Sequence, residues 1–370
     1  MTFRIPVAEP EIGPKELQNV VEAVKSGWVS SRGRFIGQFE EEFANYVGVR
    51  YAVATSSGTA SLHLALAAIG AGPGNEVIVP TLTFASVANS VIHTGAKPVL
   101  VDSHKDYWCM DPVRIEQQIT RKSKAIVPVH LYGHPCDMER IMKLANRHGL
   151  YVIEDCAEAL GAEYKTRRVG SFGDIACFSF YGNKIITTGE GGMCLTDNQK
   201  LANKMRILRG YGMRPDRRYW HEVAGFNYRL TNLQAALGVA QLGRIDEFVK
   251  RKRRLAKIYK TRLKHIQGIL TQPEMPWAKC VFWLYSVLVT SDYGLSRDEL
   301  QARLSEAGVE TRRFFYPLHH MPLYRPYSKG TYPNAERLAA EGINLPSSVK
   351  LSNANVQEIA KLIERSQQRL

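Results

Sequence analysis

The chain is short of the features that would assign it quickly. No apolar run approaches the roughly eighteen residues that a membrane-crossing helix needs. The opening MTFRIP has no apolar stretch behind a basic start, so no signal peptide is expected. The six cysteines (Cys109, Cys136, Cys156, Cys177, Cys194 and Cys280) include no C-x-x-C pair. That spacing excludes zinc knuckles and redox dithiols, and no metal site is expected. Buried free thiols in a reducing compartment are expected instead, which points to a soluble cytoplasmic protein. Gly (29) and Pro (17) are too few for a collagen-like or linker-dominated chain. Neither G-x-G-x-x-G nor G-x-x-x-x-G-K-[ST] occurs, so dinucleotide folds and P-loops lose support. There is no internal repeat or low-complexity tract.

What the chain does have is ordinary globular composition, 45% hydrophobic and 23% charged over 370 residues. Its length suggests two domains. Lys and Arg number 49 against 35 Asp and Glu, a net charge of +14. Part of that excess sits in KRKRRLAKIYKTRLK (250–264), which has nine basic residues and no acid. Phe248, Val249, Leu255, Ile258, Tyr259 and Leu263 recur there at helical spacing, predicting a helix with one packed side and the rest solvated. An anionic small molecule, a membrane or a polynucleotide could use such a surface. No zinc finger, RNP-type strand or helix-turn-helix accompanies it, so a nucleic-acid-binding or regulatory role rests on charge alone.

From residue 50 to 200, short apolar runs alternate with amphipathic segments. The runs are YAVAT (51–55), EVIVP (76–80), KPVLVD (97–102), AIVPVHLYG (125–133), YVIEDC (151–156), DIACFSF (174–180) and GGMCLTD (191–197). The helical segments between them cover 59–69, 85–93 and 137–148. This pattern predicts an α/β fold with a mostly parallel sheet covered on both faces. The last two runs are joined too closely for a parallel crossover, so at least one antiparallel strand is expected. A long helix is predicted over 231–263, capped by Thr231 or Asn232. YSVLVT (285–290), a helix over 297–307 and a closing helix over 353–368 form a smaller α+β unit. The expected division is an arm over 1–12, a large domain over 13–245 and a small domain over 246–370.

In such a sheet, ligands bind beyond the carboxyl ends of the strands. YAVAT is followed by Ser57-Gly58-Thr59 at a helix start, where free N–H groups and hydroxyls suit a phosphate. By itself this is as readily a simple cap. EVIVP is followed by Phe84, which could stack on a flat ring or belong to the core. YVI ends in Glu154-Asp155, with Glu158 beyond; carboxylates there are costly to bury without donors or cations. Then comes SFYGNKIITTGEGG, in which Lys184 is a single lysine among Ser, Asn, Thr and Gly. A semi-buried lysine loses basicity and becomes an amine that condenses with carbonyls. Together a phosphate cradle, a stacking ring, a strand-end acid and a loop amine meet the requirements of pyridoxal 5'-phosphate.

SGTASLHLAL, VIEDCAEALG, FSFYGNKIITTGEGGM and FNYRLTNLQAALG together resemble the sugar aminotransferases called DegT/DnrJ/EryC1/StrS, within the aspartate-aminotransferase (fold type I) superfamily. The resemblance runs from WVSSRG (28–33) to GINLP (342–346). It implies a seven-stranded sheet and a homodimer with shared sites. By the same likeness Lys184 carries the cofactor and moves the proton, while Asp155 pairs with the pyridine nitrogen. Glu158 lies beside the ring hydroxyl, and Phe84 stacks on the ring. Ser57, Gly58, Thr59 and Ser179 match phosphate contacts, as does Asn227 reaching from the neighbouring subunit. Arg229, Tyr316 and His319 fall in the expected sugar-nucleotide region. A dehydratase branch has His in place of the lysine, so Lys184 favours transamination. Ser57 replaces an Asn found in some members, which touches phosphate binding and not reaction class. HLYGHPCDMERI, RRYWHEVAGFNYRLTN and GVETRRFFYPLHHMPLY resemble the branch that aminates GDP-4-keto-6-deoxymannose at C4 with L-glutamate, giving GDP-perosamine for lipopolysaccharide O-antigen. A UDP- or dTDP-4-keto-6-deoxyhexose is the alternative substrate.

Overall fold

The computed structural model describes residues 3–214 and 216–368. Residues 1–2 of the expected arm and 369–370 at the other end lie outside them. The start of the described chain runs along the 308–310 segment, with Ile5 N–H on Gly308 and Glu310 N–H on Ile5. Ser347 N–H donates to Val7 O. Two amphipathic helices follow, α1 (Pro14–Lys25) and α2 (Arg34–Val47). Pro14 stands in the first turn of α1, where its missing N–H costs nothing.

The chain then alternates strand and helix: β1 (Tyr51–Thr55), α3 (Gly58–Ala68), β2 (Glu76–Pro80), α4 (Ser86–His93), β3 (Lys97–Val101), α5 (Pro112–Gln118), β4 (Ser123–Ile126), α6 (Met138–His148) and β5 (Tyr151–Asp155). A small hairpin, β6 (Glu163–Tyr164) and β7 (Arg167–Arg168), precedes β8 (Ile175–Ser179), β9 (Gly192–Thr196) and α7 (Gln199–Arg209). Seven strands form one sheet in the order β1-β9-β8-β5-β4-β2-β3. The β2, β3, β4, β5 and β8 pairings are parallel, and β9 runs antiparallel to both β1 and β8. The expected antiparallel strand is therefore β9, and the 180–191 connection before it carries Lys184.

Two sequence expectations need correction. The run 125–133 is strand only as far as Ile126; Pro128 has no N–H for the ladder, and Tyr132 takes a left-handed turn (φ 50°). The helix expected over 231–263 is two, α8 (Asn232–Leu242) and α9 (Ile245–Leu263), broken at Gly243-Arg244. Thr231 caps α8 in a reciprocal box with Gln234. The break redirects the chain: α8 packs on α1 and α2, whereas α9 packs on the last helix. Apolar spacing continues through the break, so sequence periodicity did not reveal it.

After α9 come β10 (Ile269–Thr271), β11 (Ala278–Lys279), β12 (Tyr285–Val289), α10 (Arg297–Glu306), β13 (Arg312–Arg313), α11 (Pro333–Glu341), β14 (Gly342–Leu345) and α12 (Asn353–Gln368). An antiparallel sheet has the order β10-β12-β14-β13, and β11 extends the β6-β7 hairpin. Two apolar clusters result, one around the seven-stranded sheet and a smaller one between α9, β12, α10 and α12. In the first, Phe39 and Phe43 of α2 meet Phe178 and Phe180 with ring centroids 5.0–5.3 Å apart. Each such pair adds about 0.5–1.5 kcal/mol beyond burial, fixing α2 against the strand that ends at the site. All six cysteines are buried and unpaired. No described helix is long and apolar enough to cross a membrane.

Candidate active site

A cavity of about 490 Å³ opens at the carboxyl ends of β1, β5 and β8. Its upper wall is the start of α3, a helix so apolar all round that it is buried on nearly every side. Ser57 caps it, Oγ accepting from Ala60 N–H at 3.1 Å, and Ser57 O takes Ser61 N–H. The N–H groups of Gly58 and Thr59 belong to the first turn, whose donors have no intrahelical acceptor, and they carry the positive end of the helix dipole. Ser179, at the end of β8, closes on this turn. A Cβ at Gly58 would lie 2.7 Å from Ser179 Cβ, so only glycine permits the approach.

Below lies β5, whose last two residues face opposite ways, as alternation requires. Glu154 is fully buried on the far face. It accepts from the N–H groups of Gly170 (2.8 Å), Phe172 (2.8 Å) and Gly173 (2.7 Å) and from His130 Nε2 (3.2 Å). Cys136 N–H donates to His130 Nδ1 at 3.0 Å, which leaves Nε2 as the donor. Burial alone would raise the Glu154 carboxyl, but the His130 bond and the backbone donors outweigh it and hold it below its ordinary value. Asp155 instead lines the cavity. Its Oδ1 takes Ala157 N–H at 3.0 Å, and burial raises its pKa against the pull of Lys184 and His130.

Glu158 and Lys184 face each other, Nζ 3.9 Å from Oε1. Tyr132 N–H, presented by the left-handed turn, donates to Glu158 Oε2 at 2.8 Å. Burial pushes the Glu158 carboxyl up to about 7, against the pull of Lys184. Burial likewise draws the Lys184 amine down, opposed by Glu158 and Asp155. Both groups are thus moved towards their neutral forms, and an uncharged amine is a nucleophile. Lys184 Nζ also stands 3.8 Å from the centroid of the Trp283 ring.

Ser57, Gly58, Thr59, Phe84, Asp155, Glu158, Ser179 and Lys184 therefore line one cavity, although the first and last stand 127 positions apart in the chain. Phe84 remains 58% exposed, tilted against Phe315 at 5.9 Å. Four residues singled out by sequence lie elsewhere. Asn227 accepts from Arg229 Nε at 3.1 Å, and Arg229 covers the Tyr211 ring, in a segment carrying exposed Tyr219 and Trp220. Tyr316 accepts from Arg313 and lines an adjacent groove. His319 turns away, its Nδ1 2.7 Å from Thr81 Oγ1, its Nε2 3.1 Å from Glu336 and its ring stacked on Tyr332. Sequence reasoning missed Trp283, Arg312, Arg313 and Asn344, all on the cavity wall. Trp283 sits in an apolar run that reads as core, and two arginines carry no signal in so basic a chain. Arg313 Nε and Asn183 Oδ1 are buried without a partner.

This donor set fits pyridoxal 5'-phosphate. The Gly58 turn, which a side chain would fill, suits a phosphate; the Phe84 ring lines the same cavity, and a buried acid and an amine lie beyond it. Such a cavity on such a sheet defines a pyridoxal-phosphate-dependent aminotransferase of fold type I. The chain belongs to the DegT/DnrJ/EryC1/StrS aminotransferase family, whose model matches residues 10–364. It is 48% identical to the GDP-perosamine synthase of Escherichia coli O157:H7, covering 97% of each chain. To the GDP-perosamine synthase of Caulobacter vibrioides it is 46% identical over 98% of each. The solved structure of Spr1654 from Streptococcus pneumoniae in its PMP form is 28% identical, with a TM-score of 0.93 over 99% of this chain and 98% of that one.

Proposed function

We propose that this protein moves the amino group of L-glutamate to C4 of GDP-4-keto-6-deoxymannose, giving GDP-perosamine and 2-oxoglutarate. The observation that carries the substrate is the 46–48% identity, nearly end to end, to two relatives with that activity. The reaction type rests on one half-buried amine facing two acids. When bound, pyridoxal phosphate supplies the carbonyl that takes up the amino group and the conjugated ring that disperses charge when a neighbouring proton leaves.

This chain's residues do the rest. Lys184 Nζ holds the cofactor, takes the α-proton of glutamate and later returns a proton to C4 of the sugar. Its lowered basicity suits both duties, since it can be neutral to accept and charged to donate. Asp155 supplies the anion for the ring nitrogen, and its N–H bond from Ala157 keeps the carboxylate oriented. Glu158 holds the ring hydroxyl side, Phe84 stacks, and Ser57, Gly58, Thr59 and Ser179 bind phosphate. Trp283 and Leu284 exclude water from the lysine side.

Asn227 enters this scheme from a second subunit, which makes the working form a homodimer with two shared sites, and Arg229 beside it serves the sugar nucleotide. Both lie outside the cavity of their own chain, on a segment with exposed aromatic side chains. Tyr316 contributes to the sugar-nucleotide groove, with His319 behind it. The same reading divides the chain into an arm over 1–12, a cofactor-binding part over 13–245 and a smaller part over 246–370. It places the enzyme in the cytoplasm, feeding O-antigen synthesis. Incubation with glutamate and a panel of GDP-, UDP- and dTDP-4-keto-6-deoxyhexoses, followed by mass spectrometry, tests the substrate. Amination of the GDP sugar is expected; preferential amination of a UDP or dTDP sugar overturns it.

A further inference from the structure

The interior holds a second lysine that the transfer does not use. Lys252, on α9, is only 5% exposed, in a segment whose neighbouring cations are mostly at the surface. Its Nζ donates to the carbonyl oxygens of Trp283 (2.9 Å) and Ser347 (2.7 Å). Burial draws this amine down to about 7, and among the described residues no carboxylate offsets that burial. A methionine would fill similar space without the desolvation cost. What it could not do is donate to two buried carbonyls, and a neutral amine keeps the two N–H bonds this needs.

Trp283 is held at three points. Its carbonyl is bound by Lys252, and its Nε1–H donates to Asn183 O, the peptide just before Lys184, at 2.7 Å. Its ring face then lies 3.8 Å from Lys184 Nζ, with Tyr132 stacked on the ring at 6.4 Å. We propose that Lys252 is a positioning residue: by anchoring the Trp283 peptide it holds the indole against Lys184 and fixes the direction in which that amine meets the cavity. The inference rests on Lys184 being the cofactor-bearing amine. The charged groups acting on Lys184 are Glu158, Asp155 and Arg312, and none is altered in the variants below.

The test compares wild-type holoenzyme with Lys252→Met, Trp283→Phe and the double variant. One readout is the pH dependence of the bound cofactor's visible absorbance; the other is the division of any loss between kcat and KM. An aromatic face favours a cation above it, so losing or displacing that face lowers the absorbance midpoint. A fall of about 0.5–1 pH unit is expected in either single variant. With it goes a drop in kcat on the order of tenfold, with KM changed less than about twofold. The double variant is expected to be no worse than the poorer single one, as for residues acting through each other. Trp283→Phe leaves Lys252 in place and tests the indole's part; if Lys252→Met does not fold, Lys252→Gln, whose amide nitrogen is one bond closer to the backbone, takes its place in the comparison. A midpoint that stays or rises, or fully additive losses, overturns the proposal. Borohydride reduction and peptide mass spectrometry locate the cofactor. Its mass on another lysine overturns the Lys184 assignment itself, whereas its mass on Lys184 with an unmoved midpoint overturns only the role of Lys252.

Discussion

Lys184 and Glu158 illustrate how burial sets chemistry at a single pair of side chains. Replacing Lys184 by Ala removes the amine proposed to carry a proton between substrate and cofactor, and turnover is expected to fall by at least about 10²–10⁴-fold. Full retention of activity in a coupled glutamate assay would remove Lys184 from the reaction. Glu158 gives a prediction that needs no substrate. Its carboxyl, pushed up to about 7 from the ordinary 4.5, keeps a proton in the folded chain where the unfolded chain has lost it. Its stabilising contribution is therefore whole below about pH 4.5 and is lost as pH rises through about 7. Glu158→Gln lacks this dependence. Between about pH 5 and pH 8 the cofactor-free wild type should lose on the order of 1–3 kcal/mol relative to that variant, measured by urea unfolding. Equal losses in the two proteins would contradict the assigned shift. At this scale the sequence singled out Lys184 and Asp155, which both line the cavity, but not that Glu154 is taken up by the 170–173 backbone instead.

At the scale of elements, the site depends on how closely α3 approaches β8. Gly58→Ala puts a methyl 2.7 Å from Ser179 Cβ, and separating the two elements should cost about 1–3 kcal/mol. Cofactor affinity should weaken as well, read by thermal melts with and without added pyridoxal phosphate. The 170–173 loop depends instead on Glu154. Glu154→Ala leaves three backbone N–H groups and His130 without their acceptor, and about 3–5 kcal/mol of stability should go with it. A variant melting within a degree or two of wild type would show that water replaces the carboxylate. Strand and helix identities were legible because continuous apolar runs and caps such as Ser57 and Thr231 are local signals. The α8–α9 break was not, because Gly243-Arg244 interrupts no periodicity; at the break Arg244 bonds Glu11 and Glu16, far away in the chain.

For the molecule as a whole, the proposed exchange of Asn227 between subunits makes a prediction about mixtures. Lys184→Ala and Asn227→Ala homodimers should each be impaired, yet subunit exchange rebuilds one intact site in each hybrid. An equal mixture should recover up to about a quarter of wild-type activity if dimers form at random. No recovery after verified exchange would place Asn227 and Lys184 on the same subunit's site. The charge of +14 is a property of this scale too: Lys250, Arg254, Lys257, Lys260 and Arg262 of α9 and Lys264 just after it are exposed, while Lys252, in the same run, turns inward.

Local chemistry written along the chain determined the fold class, the family and most of the residues singled out for the cavity, because strand ends, helix caps and a glycine-bounded lysine are each encoded within a few positions. Tertiary structure alone decided that Glu154 is held by the 170–173 backbone, that Trp283 lies against the amine and that one lysine of a basic run turns inward onto two carbonyls. Those outcomes depend on side chains brought together from segments 100 residues apart or more, as Asn183 and Trp283 are, and no spacing rule records such an encounter.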